Sequence, residues 1–302
     1  MIPVLLVVAI GGYLLGIHRG STRSSADGSD TLRVASATNL LLEYPAGWQP
    51  SGQVPHLAGL ALTGSYVLAP HGRPATAGLL SGGLPGGEAS PLPSAFLALV
   101  HGAPHVEVVS LAHLQAYRFS QLSGYERILD VYVVPTAGGT PTALVCYATS
   151  AGAGYLQQCE QIVATATLVG ETSFNLSPDA GYASQLKTLI ETLAGGRTTL
   201  RREIRASSAP ARLSSLASRL AGEFASAATR LASLEAPQAA SAAQAALTTA
   251  LMGAHAAYLA LSAAAAEESP AAYSEADEHV NGAEASVDTA LRNFALLGYN
   301  HT

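Results

Sequence analysis

The C-terminal part of the chain, residues 177–300, is cut by prolines into helix-period segments, and this constrains the fold more than any other feature. Pro178, Pro210, Pro237 and Pro270 bound stretches of about 25–30 residues, each with apolar positions three and four apart. The first seam runs Tyr182, Leu186, Leu189, Leu193, Leu200 and Ile204. The second is Leu213, Leu216, Leu220, Phe224, Leu231 and Leu234. The third is Leu247, Leu251, Tyr258, Leu261 and Ala265, and the fourth Tyr273, Val280, Val287, Leu291, Phe294 and Leu297. Ser177-Pro178 and Ser269-Pro270 have the form of helix starts, a capping hydroxyl followed by a residue with pre-set φ. Short connections make sequential helices antiparallel neighbours, so the expectation is an all-α, up-down four-helix bundle. Gly195-Gly196 interrupts the first seam and is a place for a kink.

The opposite end differs in kind. Ile2 to Ile17 is uncharged and apolar or small, and His18, Arg19 and Arg23 follow. Sixteen helical residues rise roughly 24 Å against a hydrocarbon core of ~30 Å. A membrane anchor, a cleaved signal and a buried helix compete. The absent basic n-region weakens the signal reading, and the uncharged run at the extreme N-terminus weakens the buried one. No Cys follows the run, which excludes a lipoprotein. The expectation is a transmembrane anchor or signal over 1–18 and a polar, flexible stalk over 19–32, with the true start possible upstream of Met1. Arginines after the span would by themselves put that side in the cytoplasm; the cysteines, below, argue the other way.

Between these ends, residues 33–170 show short apolar runs broken by Gly and Pro. Asn39–Tyr44, Leu57–Leu68, Ala75–Leu80, His113–Ser120, Arg127–Val134 and Thr142–Ala148 read as strands. Ser94–Val100 and Gly154–Thr165 read as helices, and Ser81 to Gly87 as a glycine-rich loop. Several antiparallel strands with flanking helices define an α+β domain. Apolar residues make up 49% of the chain, which excludes a disordered protein. Fifteen Lys+Arg against 21 Asp+Glu, with no basic tract, argue against nucleic acid as a partner.

Cys146 and Cys159 are the two cysteines. In a cytosolic chain they would be buried thiols, and a zinc site lacks two further nearby ligands. Behind an export signal they read most simply as a disulfide joining the last long strand to the closing helix. This outweighs the two arginines after the apolar run and places the bulk of the chain outside the cytoplasm.

Leu-Glu-Tyr-Pro-Ala-Gly-Trp at residues 42–48 resembles the strand-Pro-x-Gly-Trp entry of PsbP-like domains. Cys146 and Cys159 before Ala-Thr-Leu-Val are similar to extracytoplasmic versions in high-GC actinobacteria, and a single Lys, Lys187, agrees with such a genome. The resemblance implies an antiparallel sheet covered by helices, in a family of accessory, binding and sensor modules. It implies no catalytic site. The Ala-rich C-terminal region looks like uncharacterised actinobacterial envelope proteins.

The chain offers little recognisable chemistry. No Glu is followed three residues later by His, as a ferritin-like di-metal bundle requires. Ser81 lacks a nucleophile-elbow context, and residues 81–87 lack the Lys-Ser/Thr of a P-loop. His101, His105 and His113 lack helical metal spacing, and His255 fits a satisfied position beside the third seam. Trp48 fits a core anchor better than a sugar platform, and Tyr117, Tyr125, Tyr132, Tyr147 and Tyr155 fit the sheet and its rim. Arg197, Arg201, Arg202 and Arg205 could meet an anionic partner, or could be offset by the acidic run from Glu267 to Asp288. The expectation is therefore a non-enzymatic, membrane-anchored envelope protein that binds a protein or other envelope partner, without cofactor or metal. The alternative is a sensor ectodomain of a kinase-type signalling protein, binding a small apolar ligand.

Overall fold

The computed structural model describes residues 32–299 apart from Gly87, 101–103 and 124–125. The segments expected to be an anchor and a stalk lie, up to residue 31, outside the described residues.

Strands β1 (Arg33–Ala37) and β2 (Leu40–Tyr44) form a hairpin, and β10 (Thr167–Leu168) pairs with the other side of β2. The larger sheet contains β3 (Trp48–Pro50), β4 (Thr63–Pro70), β5 (Ala77–Gly83), β6 (Val106–Leu111), β7 (Leu114–Leu122), β8 (Ile128–Val134) and β9 (Thr142–Ala148). Its order is β3-β4-β5-β9-β8-β7-β6, with antiparallel pairing throughout. The central strands β9, β8 and β5 are apolar on both faces, as strands covered on both sides must be. Their side chains alternate between two cores. Val145, Tyr147, Val131 and Val133 face one, under Leu57, Leu60, Leu92 and Phe96. Leu144, Cys146, Tyr132 and Val134 face the other, under the small sheet and helix α2 (Leu156–Val163).

Several strand boundaries differ from expectation. The Gly-rich stretch does not begin at Ser81: β5 continues through Ser81-Gly82-Gly83, paired residue by residue with β9. A Cβ at Gly82 would sit 2.7 Å from the Leu62 Cβ, so this stretch is glycine-rich because another chain segment lies against it. Residues 57–62 are irregular, and the strand expected over Leu57–Leu68 starts at Thr63. Trp48 opens a short strand of its own, and β1 and β6 are strands the alternation did not reveal. Both are short edge strands, where a half-buried face leaves a weak pattern.

The C-terminal region is helical. It comprises α3 (Ala180–Ala206), α4 (Pro210–Ala232), α5 (Ser241–Ala266) and α6 (Pro270–Leu296). Pro210 and Pro270 occupy first turns, and the Ser269 side chain accepts from the Ala272 N–H. At α3 the cap is Asp179, not Ser177; its carboxylate accepts from the Tyr182 N–H at 2.7 Å. Helix α3 is assigned as one helix through Gly195-Gly196. The predicted seams are the buried stripes: Leu186, Leu220, Phe224, Leu251, Tyr258, Val287 and Phe294 are all enclosed. Contacts run in opposite senses along neighbouring helices. Ser214 meets Ser262 while Phe224 stacks on Tyr258, and Tyr182 lies near Phe294 while Arg197 reaches Glu284. One apolar cluster passes from the sheet into these helices through Leu176, Tyr182 and Tyr299.

Candidate functional site

A recess lies where the α+β part meets the end of α6. One wall is the short helix α1 (Ser94–Leu97) with the start of β6. Phe96 and Leu92 are fully buried beneath α1 and pin it to the sheet. Glu88 accepts from the Ser94 N–H at 2.8 Å, a cap supplied from six residues upstream. Gly59, at φ +75°, passes so close that a Cβ there would lie 2.7 Å from the Ala95 carbonyl oxygen. Only glycine allows both that conformation and that approach.

The other wall is the last two turns of α6. Tyr299 packs edge-on against Tyr182 at 5.4 Å and against Phe294 at 6.0 Å between ring centroids. Its hydroxyl accepts from the Asp179 N–H at 3.3 Å, which ties the end of α6 to the start of α3. Burial, then the neighbouring Tyr299, pushes the Tyr117 hydroxyl far above its ordinary pKa, so Tyr117 stays neutral beside this junction.

Between these walls is a cleft of about 900 Å3, lined by Leu97, Ala98, Val106, Ala295 and Leu296 with His105, Arg292 and Asn293. Arg292 donates to Thr289 Oγ1 at 2.8 Å and has no carboxylate partner among the described residues. Glu88, the acidic group in the lining, is already occupied as the α1 cap. An apolar trough whose arginine makes no ion pair among the described residues suits an amphipathic molecule with an acidic end.

A second polar group lies on the opposite face of the sheet. Arg118 on β7 pairs with Glu107 on β6 at 3.2 Å and with Glu160 on α2, and Asp130 on β8 is 4.0 Å away. Its guanidinium sits over the Tyr132 ring at 5.7 Å. Asp130 also accepts from the Gln121 N–H at 2.6 Å. Burial raises the Glu160 pKa; Arg118 opposes this and the Asp130 carboxylate adds to it. The arrangement clips α2 onto the sheet, with every carboxylate turned to one arginine.

Cys146 and Cys159 form a disulfide between β9 and α2, both nearly fully buried. The four arginines do not act as one free patch. Arg197 pairs with Glu284 at 3.3 Å and Asp288 at 2.9 Å, and Arg201 also pairs with Glu284. The Tyr258 hydroxyl donates to the same carboxylate at 2.6 Å. Arg202 and Arg205 are exposed and carry no ion pair among the described residues. His255 Nδ1 lies 3.0 Å from the Ala221 carbonyl, a satisfied boundary position. His101 and Tyr125 lie outside the described residues; His105 lines the cleft, whereas His113 lines a separate groove. No three His, Cys, Asp or Glu groups gather to hold a metal among the described residues. The Trp48 indole is buried and donates to Gln158 Oε1 at 3.1 Å, which makes it a core anchor. Ser81 is enclosed in β5 with an unpartnered hydroxyl.

Sequence reasoning missed the cleft, because its walls come from segments almost two hundred residues apart. It placed Glu284 in the acidic run that could offset the arginines, but not in the core, where a signal existed: Glu284 falls between Val280 and Val287, in the apolar seam itself. Compared with known proteins, the chain matches no family model and no curated sequence.

Proposed function

We propose that this is a non-enzymatic binding protein of the cell envelope, whose ligand is a small amphipathic molecule held in the cleft between α1, β6 and α6. The observation that carries this reading is the cleft itself: about 900 Å3, at the upper end of the few hundred to ~1,000 Å3 usual for small-molecule sites. Its lining is mainly apolar, and Arg292 is free to meet an acidic group. This favours ligand sensing or carriage over a purely protein-docking role.

The wider setting is part of the same proposal. Residues 1–18 anchor the chain in the membrane, and the buried Cys146–Cys159 bond fits an oxidising, extracytoplasmic compartment. The opposed contacts of α3 with α6 and of α4 with α5 support an up-down four-helix bundle. The two-faced antiparallel sheet is compatible with a PsbP-like domain. A ligand seated between sheet and helices would couple the two parts, as a sensor ectodomain requires.

Full-length protein extracted from its native membrane should carry a small amphipathic molecule detectable by native mass spectrometry. Ala98→Trp, made at an exposed lining position, should abolish that co-purification while leaving the circular dichroism unchanged. Arg292→Ala should weaken retention of acidic ligands about 10-fold or more, the scale of one lost charge-assisted hydrogen bond. Extracted protein with no bound molecule, and no shift of Tm across a panel of fatty acids and phospholipids, would sink the proposal.

A further inference from the structure

Helix α5 contains no Asp, Glu, Lys or Arg in 26 residues, whereas each of α3, α4 and α6 carries at least four. Only 33% of its most apolar window is buried inside the protein. Its inward stripe, Leu247, Leu251, Tyr258 and Leu261, packs in the core. Its outward stripe, including Ala245, Thr249, Met252, Ala256, Leu259 and Ala263, is exposed. Met252 and Leu259 are 45% and 44% exposed, large apolar side chains left uncovered among the described residues.

We propose that this face is an interface between two copies of the chain. At about 100° per residue, Met252 and Leu259 project along one side of the outward stripe. Ala246 and Ala250 fall on its other side, where α5 meets Ala285, Thr289 and Ala290 of α6 in a groove of about 550 Å3. A two-fold axis parallel to α5 exchanges the two sides. The projecting side of each copy then meets the hollow side of the other, as a self-complementary interface requires. The area suffices. A helix of 26 residues is about 39 Å long and roughly 12 Å across, on the order of 450 Å2. The adjoining groove on α6 extends the face toward the ~800 Å2 that each partner in a stable interface buries. Depletion of charge at the centre is the composition of such a core.

A lipid surface fits less well. A helix lying on a membrane borders its apolar face with Lys and Arg. Helix α5 has neither; α6 on one side of it carries Glu275, Asp277, Glu278 and Asp288, and α4 on the other carries Arg212, Arg219 and Arg230 with Glu223, so the border is mixed in sign and not basic.

The test uses the full chain. Sedimentation equilibrium in detergent should give twice the chain mass. Met252→Glu and Leu259→Glu should each weaken association at least 100-fold without changing helical content. Because the two native cysteines are already paired, Ala256→Cys on the midline should form a covalent dimer on mild oxidation in native membranes, and a cysteine at exposed Arg219 on α4 should not. A monomeric wild type that fails to cross-link through Ala256→Cys would overturn the proposal. So would a dimer indifferent to both glutamates, or binding of liposomes in place of self-association. Met252 and Leu259 line neither the cleft nor the α5–α6 groove, which share Thr289 and Asn293, so ligand retention measured on the same two glutamate variants separates loss of the dimer from loss of ligand.

Discussion

Glu284 is the residue on which the helical region depends most. It is 4% exposed and receives Arg197, Arg201 and the Tyr258 hydroxyl from two other helices. Removing one member of a buried ion cluster leaves the others unpaired, at a cost of about 3 kcal/mol or more. Glu284→Ala should therefore lower the urea midpoint strongly, and more than Asp288→Ala, whose carboxylate is half exposed. Equal midpoints for the two would contradict this. Glu160 makes a prediction of the opposite electrostatic kind. Its pKa is raised above the ordinary 4.5, by burial first and then by the Asp130 carboxylate, against the pull of Arg118. The folded protein thus keeps this proton at pH values where the unfolded chain has lost it. Stability from this residue is lost as pH climbs from 4.5 through the folded pKa. Denaturant midpoints measured from pH 4 to 7 should show that fall, and Glu160→Gln should flatten it.

At the scale of elements, two attachments hold the covering layers on the large sheet. The Cys146–Cys159 bond fastens α2 to the central strand β9. By loop-entropy arguments, closing a loop of 13 residues contributes about 3 kcal/mol. Reduction under mild denaturant should lower Tm and release α2 first, which hydrogen exchange at Ile162 and Val163 would register. An unchanged exchange pattern on reduction would argue against that role. On the other face, α1 is held by Phe96, by the Glu88 cap and by the close passage of Gly59. Gly59→Ala combines a disfavoured φ with a backbone collision and should cost roughly 2 kcal/mol or more. Because α1 is a wall of the cleft, the same variant should lose ligand retention even where it still folds.

Across the whole molecule, the sheet and the long helices share an apolar cluster through Leu176, Tyr182 and Tyr299. The Leu176 N–H donates to Gln115 Oε1 at 2.7 Å, so the connecting segment is fixed to β7 and not left as a free linker. Occupation of the cleft would bear on this junction directly, since its walls come from both parts. Ligand should therefore raise Tm for the sheet and the helices together; two separately shifting transitions would show that the parts respond independently. Pairing through α5 would border the cleft, because the α5–α6 groove and the cleft share Thr289 and Asn293, while Met252 and Leu259 line neither.

How much was legible in the sequence follows the range of the interactions. The four long helices were readable because an i, i+3, i+4 seam and a proline stop are local, and Leu220, Phe224 and Leu251 declare their burial by spacing alone. The β9 run Thr142–Ala148 was readable for the same reason: a strand enclosed on both faces is apolar at nearly every position, here at all but Thr142. Edge strands such as β1 and β6 were not, since half-exposed positions accept almost any residue. The cysteine pair was legible by count, and its place between β9 and α2 by order along the chain. What only the tertiary structure decided is which groups meet across distance. The sequence left Arg197 and Arg201 between an anionic partner and the acidic run, and the packing of α6 set Glu284 against them. The cleft exists because α1 and the end of α6 stop short of each other. Local periodicity carries no information about such an approach, because it depends on how the elements pack and not on how each one forms.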